Sequence, residues 1–334
     1  MCSRGNRRGN RPKGQLGRCA FLLGEKAFRW LNGRVSDQVY TPTTLPPHQT
    51  GVLRYGVIGS PISHSLSPYM HEAAWAKLDT PAEYFRIEIP LGQLEKAVPL
   101  LVQAGLNGWN CTLPHKIEMF RLTQVHDPTA LQAESVNTVQ IVDGKIHGWS
   151  TDAGGWSRAM SEAWPHSVPP GRTLILGCGG VGQSIARHLA HIGCQSLTLV
   201  NRDPKRAQIL LDQLTPLVAS RFPLQQINWN PSSIQKALSE TDLLVHGTTL
   251  GMKSDDPLPI SKEWMNPPLR VYDTLYSKDF TPLVQAARER GCLAEDGLAM
   301  LLHQGALSFA IWAKKPAPLG SMRTALNLVT GRNL

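Results

Sequence analysis

The stretch TLILGCGGVGQSIARHLAHIG, residues 173–193, is the strongest indication of the fold of this chain. It begins as a short apolar run, continues through Gly177, Gly179 and Gly182, and ends as an amphipathic helical pattern. In a G-x-G-x-x-G turn between a strand and a helix, the first glycine allows a tight turn and the second lets the backbone approach a pyrophosphate. The third lets helix and strand pack closely, and the helix N-terminus favours the anion. The stretch therefore predicts a dinucleotide site; the alternative is a tight strand–helix turn without a ligand.

The next strand and helix, LTLVNRDPKRA at residues 197–207, bear on which dinucleotide binds. An acid at the strand end hydrogen-bonds the ribose hydroxyls of NAD, whereas a base accepts the 2′-phosphate of NADP. Asn201 and Arg202 stand there, and Arg206 follows one helical turn later, which favours NADP. Asp203 keeps NAD open, because it either caps the following helix or faces the ribose. We prefer the cap, and therefore NADP.

Outward from this turn, short apolar runs alternate with amphipathic stretches, the pattern of an α/β protein with mostly parallel strands. The predicted strands lie near residues 52–59, 83–89, 106–112, 136–142, 173–177, 196–201, 242–247 and 269–273. The predicted helices lie near residues 68–78, 92–104, 115–123, 181–192, 204–219 and 280–290. A proline-rich loop at 164–171 separates two α/β units, and the apolar helical pattern at 297–313 suits packing on either unit.

Composition excludes several classes of protein. Apolar residues make up 42% and charged residues 18% of the chain, which rules out disorder throughout. No window approaches the roughly 18 apolar residues of a membrane helix. The six cysteines form no C-x-x-C pair, and the histidines show no metal-binding spacing. We expect a cytoplasmic protein with neither a metal nor a membrane segment.

The net charge of +9 is unevenly distributed. Residues 1–50 contain nine Lys or Arg and two acids, a net of +7, whereas the remainder is +2. A near-neutral body does not favour binding to a nucleic-acid backbone. We expect residues 1–50 to be a disordered basic leader that the protein does not need.

Two serines near the first predicted strand are candidate substrate ligands. In GSPISHSLSPYMHEAAW, residues 59–75, Ser65 and Ser67 are two apart, so in an extended segment both hydroxyls face one side. Two neutral donors side by side suit a carboxylate. The alternative is that Ser67 only caps the following helix.

A lysine and an aspartate are candidates for proton transfer. Lys116 follows a predicted strand in GWNCTLPHKIEMF, residues 108–120, and Asp152 opens a predicted helix in HGWSTDAGGW, residues 147–156. If they met at one substrate hydroxyl, the carboxylate would hold the ammonium while the amine gave or took the proton. The alternatives are a solvated surface lysine and a Thr151 or Asp152 that merely caps its helix. Cys111 is expected to be buried packing rather than a nucleophile.

In their order along the chain, these segments resemble the shikimate dehydrogenase family over residues 52 to about 330. The motifs that carry the resemblance are GSPISHSLSP, NCTLPHK, ESVNT, STD, GCGGVG, NRDPKRA, TTLGM, VYDTLYSKDFTPL and GLAMLLHQ. The resemblance implies an α/β fold with two domains and C-terminal helices that return to the first. The substrate domain would comprise residues 51–152 and 298–334, and a Rossmann-like NADP-binding domain residues 153–297.

The resemblance also implies roles for individual residues. Lys116 and Asp152 look like the catalytic pair of a reversible reduction of 3-dehydroshikimate to shikimate by NADPH, a step toward aromatic amino acids. The implied substrate contacts are Ser65, Ser67, Thr112, Asn137, Tyr276 and Gln304. The implied cofactor contacts are Gly177, Gly179, Gly180, Gly182, Asn201, Arg202, Arg206, Gly297 and Met300.

The chain departs from the family pattern at four positions. Ser150 and His246 stand where asparagine is usual, Lys278 where proline is frequent, and Asp203 where threonine is usual. Asp203 leaves open a quinate/shikimate dehydrogenase that uses NAD or both cofactors. A non-catalytic NADP-binding regulator is a further alternative. We expect a small-molecule substrate, no nucleic-acid or membrane partner, and a monomer or homodimer.

Overall fold

The computed structural model describes residues 35–253 and 255–334, in which two sheets organise the fold. The first sheet consists of β1 (Val39–Tyr40), β2 (Leu53–Gly59), β3 (Ala82–Glu88), β4 (Gly108–Cys111), β5 (Val125–His126), β6 (Thr138–Val142) and β7 (Lys145–Trp149). Its order is β1-β3-β2-β4-β6-β7-β5. The helices of this part are α1 (Ser67–Lys77), α2 (Leu94–Gln103), α3 (Lys116–Leu122), α4 (Pro128–Ala133) and α5 (Asp152–Ala163).

The second sheet is parallel throughout its described strands. The strands are β8 (Arg172–Leu176), β9 (Ser196–Val200), β10 (Leu224–Ile227), β11 (Leu243–His246), β12 (Arg270–Asp273) and β13 (Leu293–Glu295). The helices between them are α6 (Gly180–Ile192), α7 (Pro204–Val218), α8 (Pro231–Leu238) and α9 (Pro282–Glu289), with a 3-10 helix at Lys262–Trp264. The order β10-β9-β8-β11-β12-β13 reverses between β8 and β11. Open α/β sheets bind ligands at such a reversal, outside the carboxyl ends of the strands.

The closing helices, α10 (Leu298–Ala313) and α11 (Leu319–Thr330), return to the first sheet. Phe309 and Trp312 of α10 share an apolar core with Tyr55 of β2 and Trp75 of α1. The indole of Trp312 also donates a hydrogen bond to the carbonyl of Val139, at 2.9 Å. The expected α/β fold with a Rossmann-like second sheet and returning C-terminal helices is therefore confirmed. Among the described helices, none is both long and apolar enough to span a bilayer.

The first sheet is mixed rather than parallel. Strand β6 runs antiparallel to both β4 and β7. Asp143 and Gly144, with φ of 50° and 74°, turn the chain between β6 and β7. A pair of positive φ angles is typical of the two-residue hairpin turn that Asp-Gly favours. This dipeptide is the sequence signal for β7, a strand that the apolar pattern did not predict.

The expectation of disorder through residue 50 needs correction, because residues 35–50 are ordered in the structure. Val39 and Tyr40 pair with Arg86 and Ile87 of β3, and Val35 is buried. The physical reason is that composition describes only side chains, whereas the backbone groups of this segment pair with β3 at the edge of the sheet. The predictions for residues 1–34 lie outside the described residues.

Candidate active site

Lys116 and Asp152 meet, although 36 positions separate them. Lys116 is the first residue of α3 and Asp152 the first residue of α5. The ammonium Nζ donates to Oδ2 of the carboxylate at 2.6 Å, and the two side chains are only 12% and 4% exposed. Neither Thr151 nor Asp152 caps α5 with its side chain. The capping and surface-lysine alternatives are therefore wrong.

Asn137, just ahead of β6, orients the carboxylate from the other side. Its Nδ2 donates to Oδ1 of Asp152 at 2.9 Å and to Oε1 of Gln304 at 3.2 Å. Its Oδ1 accepts the backbone N–H of Thr151 at 2.8 Å. Both oxygens of Asp152 thus have a donor, which fixes the carboxylate in one orientation. Because an ammonium has three donors, Lys116 can hydrogen-bond a substrate oxygen while it remains paired.

A buried polar network supports Asn137, and most of its members were not among the predicted site residues. Asn110 Nδ2 donates to the carbonyl of Asn137 and to the hydroxyl of Ser308, each at 3.0 Å. Oδ1 of the same amide accepts the hydroxyl of Tyr84 at 2.8 Å. The sequence signal was polar residues inside buried strands, such as Asn110 in β4 and Thr138 in β6, since buried polar groups need partners.

The two candidate serines lie at the start of α1. Ser65 and Ser67 are both buried, and Leu66 occupies the N-cap position of α1 without a side-chain capping bond. The alternative that Ser67 caps the helix is therefore wrong. Burial raises the pKa of Tyr276, and contacts with the Ser65 side chain and the Leu66 backbone partly oppose that rise. The structure thus places Tyr276 beside Ser65.

The candidate Thr112 and the unpredicted Tyr84 connect these groups to the rest of the site. Thr112, directly after β4, donates its N–H to the carbonyl of Ile58 at 2.9 Å and accepts the N–H of His115, so it begins the turn that leads to Lys116. The Tyr84 hydroxyl, bonded to Asn110, also contacts Ser67. A line of polar groups therefore runs from the serines to Asn137.

The glycine-rich turn has the shape that a pyrophosphate requires. A Cβ on Gly182 would lie 1.9 Å from the carbonyl oxygen of Gly177, so this turn closes only with glycine there. A Cβ on Gly179 would meet no protein atom within 4 Å, and its φ of −82° suits any residue. Protein packing therefore does not require glycine at 179, whereas close approach of a phosphate does. The turn fits a dinucleotide.

The turn also reaches the Lys116–Asp152 pair. A Cβ on Gly180, the first residue of α6, would lie 3.5 Å from Cδ of Lys116. The pair thus stands against the N-terminus of the helix that a cofactor phosphate would face. Further along α6, Arg187 forms an ion pair with Glu134, which directly follows α4, at 2.6 Å.

At the end of β9, Asn201 supports the turn and Asp203 caps α7. Asn201 Oδ1 accepts the N–H of Cys178 at 3.0 Å, and Asp203 accepts the N–H of Lys205 at 3.0 Å. The preferred capping role of Asp203 is confirmed. Arg202 and Arg206 are exposed, and Arg206 Nε lies 3.8 Å from the Asp203 carboxylate. Two guanidinium groups are therefore available to a 2′-phosphate.

Gly297 and Met300 lie where α10 begins. Gly297 donates its N–H to the carbonyl of Leu275 at 2.7 Å, which ties the helix to the segment after β12. Met300 is buried in the core of the second sheet with Tyr272. The structure brings these residues to the carboxyl edge of that sheet.

The departures from the family pattern have distinct surroundings. His246 is fully buried, with Nδ1 2.9 Å from Asp273 and Nε2 2.6 Å from the Thr248 hydroxyl. The hydroxyl of Ser150 is buried and has no hydrogen-bond partner among the described residues. Lys278 is exposed, as expected of a surface change.

The described residues contain no group of three or more His, Cys, Asp or Glu side chains arranged to hold a metal ion. Cys111 is 3% exposed, and burial raises the pKa of its thiol, which suits packing rather than nucleophilic attack.

Comparison with known proteins gives consistent results along the chain. The models that match describe a shikimate dehydrogenase substrate binding domain over residues 57–139, a shikimate/quinate 5-dehydrogenase over residues 165–251 and a shikimate 5′-dehydrogenase C-terminal domain over residues 297–326.

Similar curated proteins include two that are named shikimate dehydrogenase (NADP(+)). The one from Rubrobacter xylanophilus is 38% identical over 277 residues, which cover 81% of this chain and 94% of the relative. The one from Symbiobacterium thermophilum is 36% identical over 274 residues, which cover 81% of this chain and 92% of the relative.

Solved structures resemble the whole fold. Shikimate dehydrogenase from Aquifex aeolicus has a TM-score of 0.73 at 30% identity, covering 83% of this chain and 98% of that chain. The Thermus thermophilus enzyme in complex with NADP(H) and shikimate has a TM-score of 0.71 at 29% identity, covering 82% and 98%. Quinate dehydrogenase from Corynebacterium glutamicum in complex with NAD has a TM-score of 0.72 at 28% identity, covering 82% and 98%.

Proposed function

The chain belongs to the shikimate dehydrogenase family, and we propose that it catalyses the reversible, NADP-dependent reduction of 3-dehydroshikimate to shikimate. The observation that carries the proposal is the buried Lys116–Asp152 pair, at 2.6 Å, against the start of the helix that follows the glycine-rich turn. Acid–base groups and a dinucleotide turn at one place suit hydride transfer coupled to proton transfer.

Lys116 handles the proton in this mechanism. NADPH, when bound, supplies the hydride that reaches the carbonyl carbon of the substrate. The Lys116 ammonium donates a proton to the carbonyl oxygen, which leaves a neutral amine and a new hydroxyl group. In the reverse direction the amine takes that proton back. Asp152 stabilises the ammonium at 2.6 Å, and Asn137 holds Asp152 in place from 2.9 Å.

Two groups of residues orient the substrate. Ser65, Ser67 and Tyr276 present hydroxyl groups together, and hydroxyls suit the ring carboxylate of shikimate. Asn137, Thr112 and Gln304 contact the ring hydroxyls. This assignment places the reacting carbon toward Lys116 and the carboxylate toward α1.

The glycine-rich turn and the end of β9 hold the cofactor. Gly177, Gly179, Gly180 and Gly182 form the pyrophosphate turn, and Asn201 supports it through Cys178. The bases Arg202 and Arg206 bind the 2′-phosphate of NADP. Gly297 and Met300 line the nicotinamide side.

A quinate/shikimate dehydrogenase that accepts NAD is the second candidate function. The contact between Asp203 and Arg206, at 3.8 Å, favours it, because the carboxylate partly offsets the positive charge that a 2′-phosphate needs. The capping bond from Asp203 to Lys205 favours NADP, since it holds this carboxylate on its own helix.

The test is to follow nicotinamide absorbance with purified protein and the four combinations of shikimate or quinate with NADP or NAD. We expect the highest kcat/KM with shikimate and NADP. A tenfold preference for NAD, about 1.4 kcal/mol in the transition state, would replace the cofactor assignment. Cofactor binding without turnover in any combination would contradict the proposed enzymatic activity and favour a non-catalytic regulator.

The proposal also covers the domain bounds, the cellular location and the oligomeric state of the enzyme. The substrate domain comprises residues 51–152 and 298–334 together with the ordered segment 35–50, which adds β1 to its sheet, and the cofactor domain comprises residues 153–297. The protein acts in the cytoplasm as a monomer or homodimer on a small molecule, without nucleic acid. Light scattering of the purified full chain distinguishes the two oligomeric states, and a mass above a dimer would contradict both.

A further inference from the structure

Residues 35–48, here called the strap, run along the first sheet ahead of β2. Val35 packs on α1 and α11, against Tyr69 and Ala325. Val39 and Tyr40 add a short parallel strand to β3. Near the other end, Arg54 of β2 donates to the carbonyl of Pro46 at 2.8 Å. The strap is therefore fixed to the body at three separate places.

Arg86 of β3 connects the strap to the serines of the active site. Its guanidinium is 3% exposed. Nε donates to the carbonyl of Ser65 at 3.0 Å, and NH1 donates to the carbonyl of Ser36 at 2.7 Å. A buried guanidinium is stable only when its donors are paired, so the Ser36 carbonyl helps to hold Arg86 where it reaches Ser65.

A second contact reaches the helix that Ser67 begins. Tyr69, two residues further along α1, donates its hydroxyl to the Asp37 carboxylate at 2.9 Å. The Arg86 guanidinium lies over the Tyr69 ring, with 5.4 Å between Cζ and the ring centroid. The strap thus contacts groups on both sides of the serine pair.

We propose that the strap positions Ser65 and Ser67 for the substrate carboxylate, with Arg86 and Tyr69 as positioning residues. The proposal rests on the proposed function, which assigns the serines to that carboxylate. The strap precedes residue 57, where the matched substrate-binding region begins. The strap therefore lies outside the part of the chain that the family model matches.

Removing the strap would release one end of Arg86 to water and loosen the segment that carries the serines. Binding of substrate and transition state would weaken alike, since the carboxylate is far from the reacting carbon. We therefore expect KM for shikimate to rise about tenfold with kcat unchanged. KM for NADP stays the same, because the strap contacts the first sheet.

The experiment compares two truncated proteins with the full chain. One lacks residues 1–42, which removes Ser36, Asp37 and β1 but keeps Pro46. Its matched control lacks residues 1–34 and keeps every strap contact described above. We expect the control to equal the full chain and the longer truncation to show the raised KM for shikimate.

A double-mutant cycle separates positioning from general support. Arg86→Met in the full chain should raise KM for shikimate to a similar extent, and Arg86→Lys should restore part of it. Combined with the longer truncation, Arg86→Met should add little, because both changes break one connection. Additive effects, or a lower Tm with an unchanged KM, would show that the strap only stabilises the sheet and would overturn the proposal.

Two further results keep the test decisive. If the longer truncation does not fold, Asp37→Ala in the full chain replaces it. An unchanged KM for shikimate in that variant would overturn the proposal that the strap positions the serines. A full chain without activity on shikimate would refute the proposed function and this inference with it. A full chain that is active, with a truncation of equal KM, would refute this inference alone.

Discussion

The glycine-rich turn and the Lys116–Asp152 pair lie side by side but depend on different parts of the chain. The turn is local: its shape follows from the close approach of Gly182 to the carbonyl of Gly177, five residues earlier. The Lys116–Asp152 pair depends on distant parts of the chain, because Asn137 bonds both Asp152 and Gln304, which lies 167 positions from Asn137. We therefore expect the turn to be most sensitive to an added methyl group, and the Lys116–Asp152 pair to the loss of any residue that supports it.

The largest expected effect is in the Lys116–Asp152 pair. Lys116→Ala should lower kcat by about 10² to 10⁴, because the proton loses its positioned donor and acceptor. KM for shikimate should change little, since the substrate keeps its other contacts. Steady-state kinetics with shikimate and NADP measure both constants.

Lys145→Ala is the matched control for that substitution. Lys145 is an exposed lysine of β7, and its removal should leave kcat unchanged. A large rise in KM for Lys116→Ala with full kcat would mean that Lys116 binds substrate without transferring the proton.

The local site can be tested with two alanines in one turn. Gly182→Ala should destabilise the protein by about 1–3 kcal/mol, because its Cβ meets backbone that has to move. Gly179→Ala should leave Tm unchanged but weaken NADP binding by about 10- to 100-fold, since its Cβ meets only the approaching phosphate. Thermal unfolding and cofactor titration measure the two effects. Equal effects of both variants on Tm would show that the turn is purely structural.

Acid should lower the free energy of unfolding of the protein, because a buried histidine in the substrate-binding part has to take up a proton. Neither ring nitrogen of His71 has a hydrogen-bond partner among the described residues, and burial lowers its pKa to about 3. The unfolded chain takes up this proton near pH 6.5, so stability is complete above that pH and falls as pH drops toward 3. Between pH 7 and pH 5 the loss is about 2 kcal/mol.

His71→Leu should remove that component. Urea unfolding at pH 7 and pH 5 measures the pH-dependent loss in both proteins, so that other titrating groups cancel between them. The same loss in the variant as in the parent would show that His71 does not cause the acid sensitivity.

The smallest expected effect concerns cofactor choice at the end of β9. Asp203→Ser keeps a side chain that caps α7 but removes the negative charge 3.8 Å from Arg206. The ratio of kcat/KM for NADP over NAD should rise about two- to fivefold, as an exposed ion pair allows. An unchanged ratio would mean that the charge of Asp203 does not affect the 2′-phosphate.

The predicted elements agree with the structure where one local signal sufficed. Helices α1, α6 and α7 begin and end within about two residues of their predicted limits, because proline, glycine and apolar periodicity mark them. The apolar pattern did not predict β7, although Asp143–Gly144 marks its turn. It also did not predict the short strands β1, β5, β10 and β13. Such short strands depend on a partner edge rather than on their own sequence.

Residue type and spacing predicted the dinucleotide turn, the capping role of Asp203 and the candidates Ser65, Ser67, Lys116 and Asp152, whereas the family resemblance supplied the other candidate residues of the active site. The reason is that close backbone approach and helix capping act over a few residues, so residue type and spacing record them. Tertiary packing was needed to bring Lys116 to Asp152, Ser308 to Asn110 and the strap to Arg86. These contacts join groups far apart in the chain, and packing of the two sheets and the returning helices decides which of them meet.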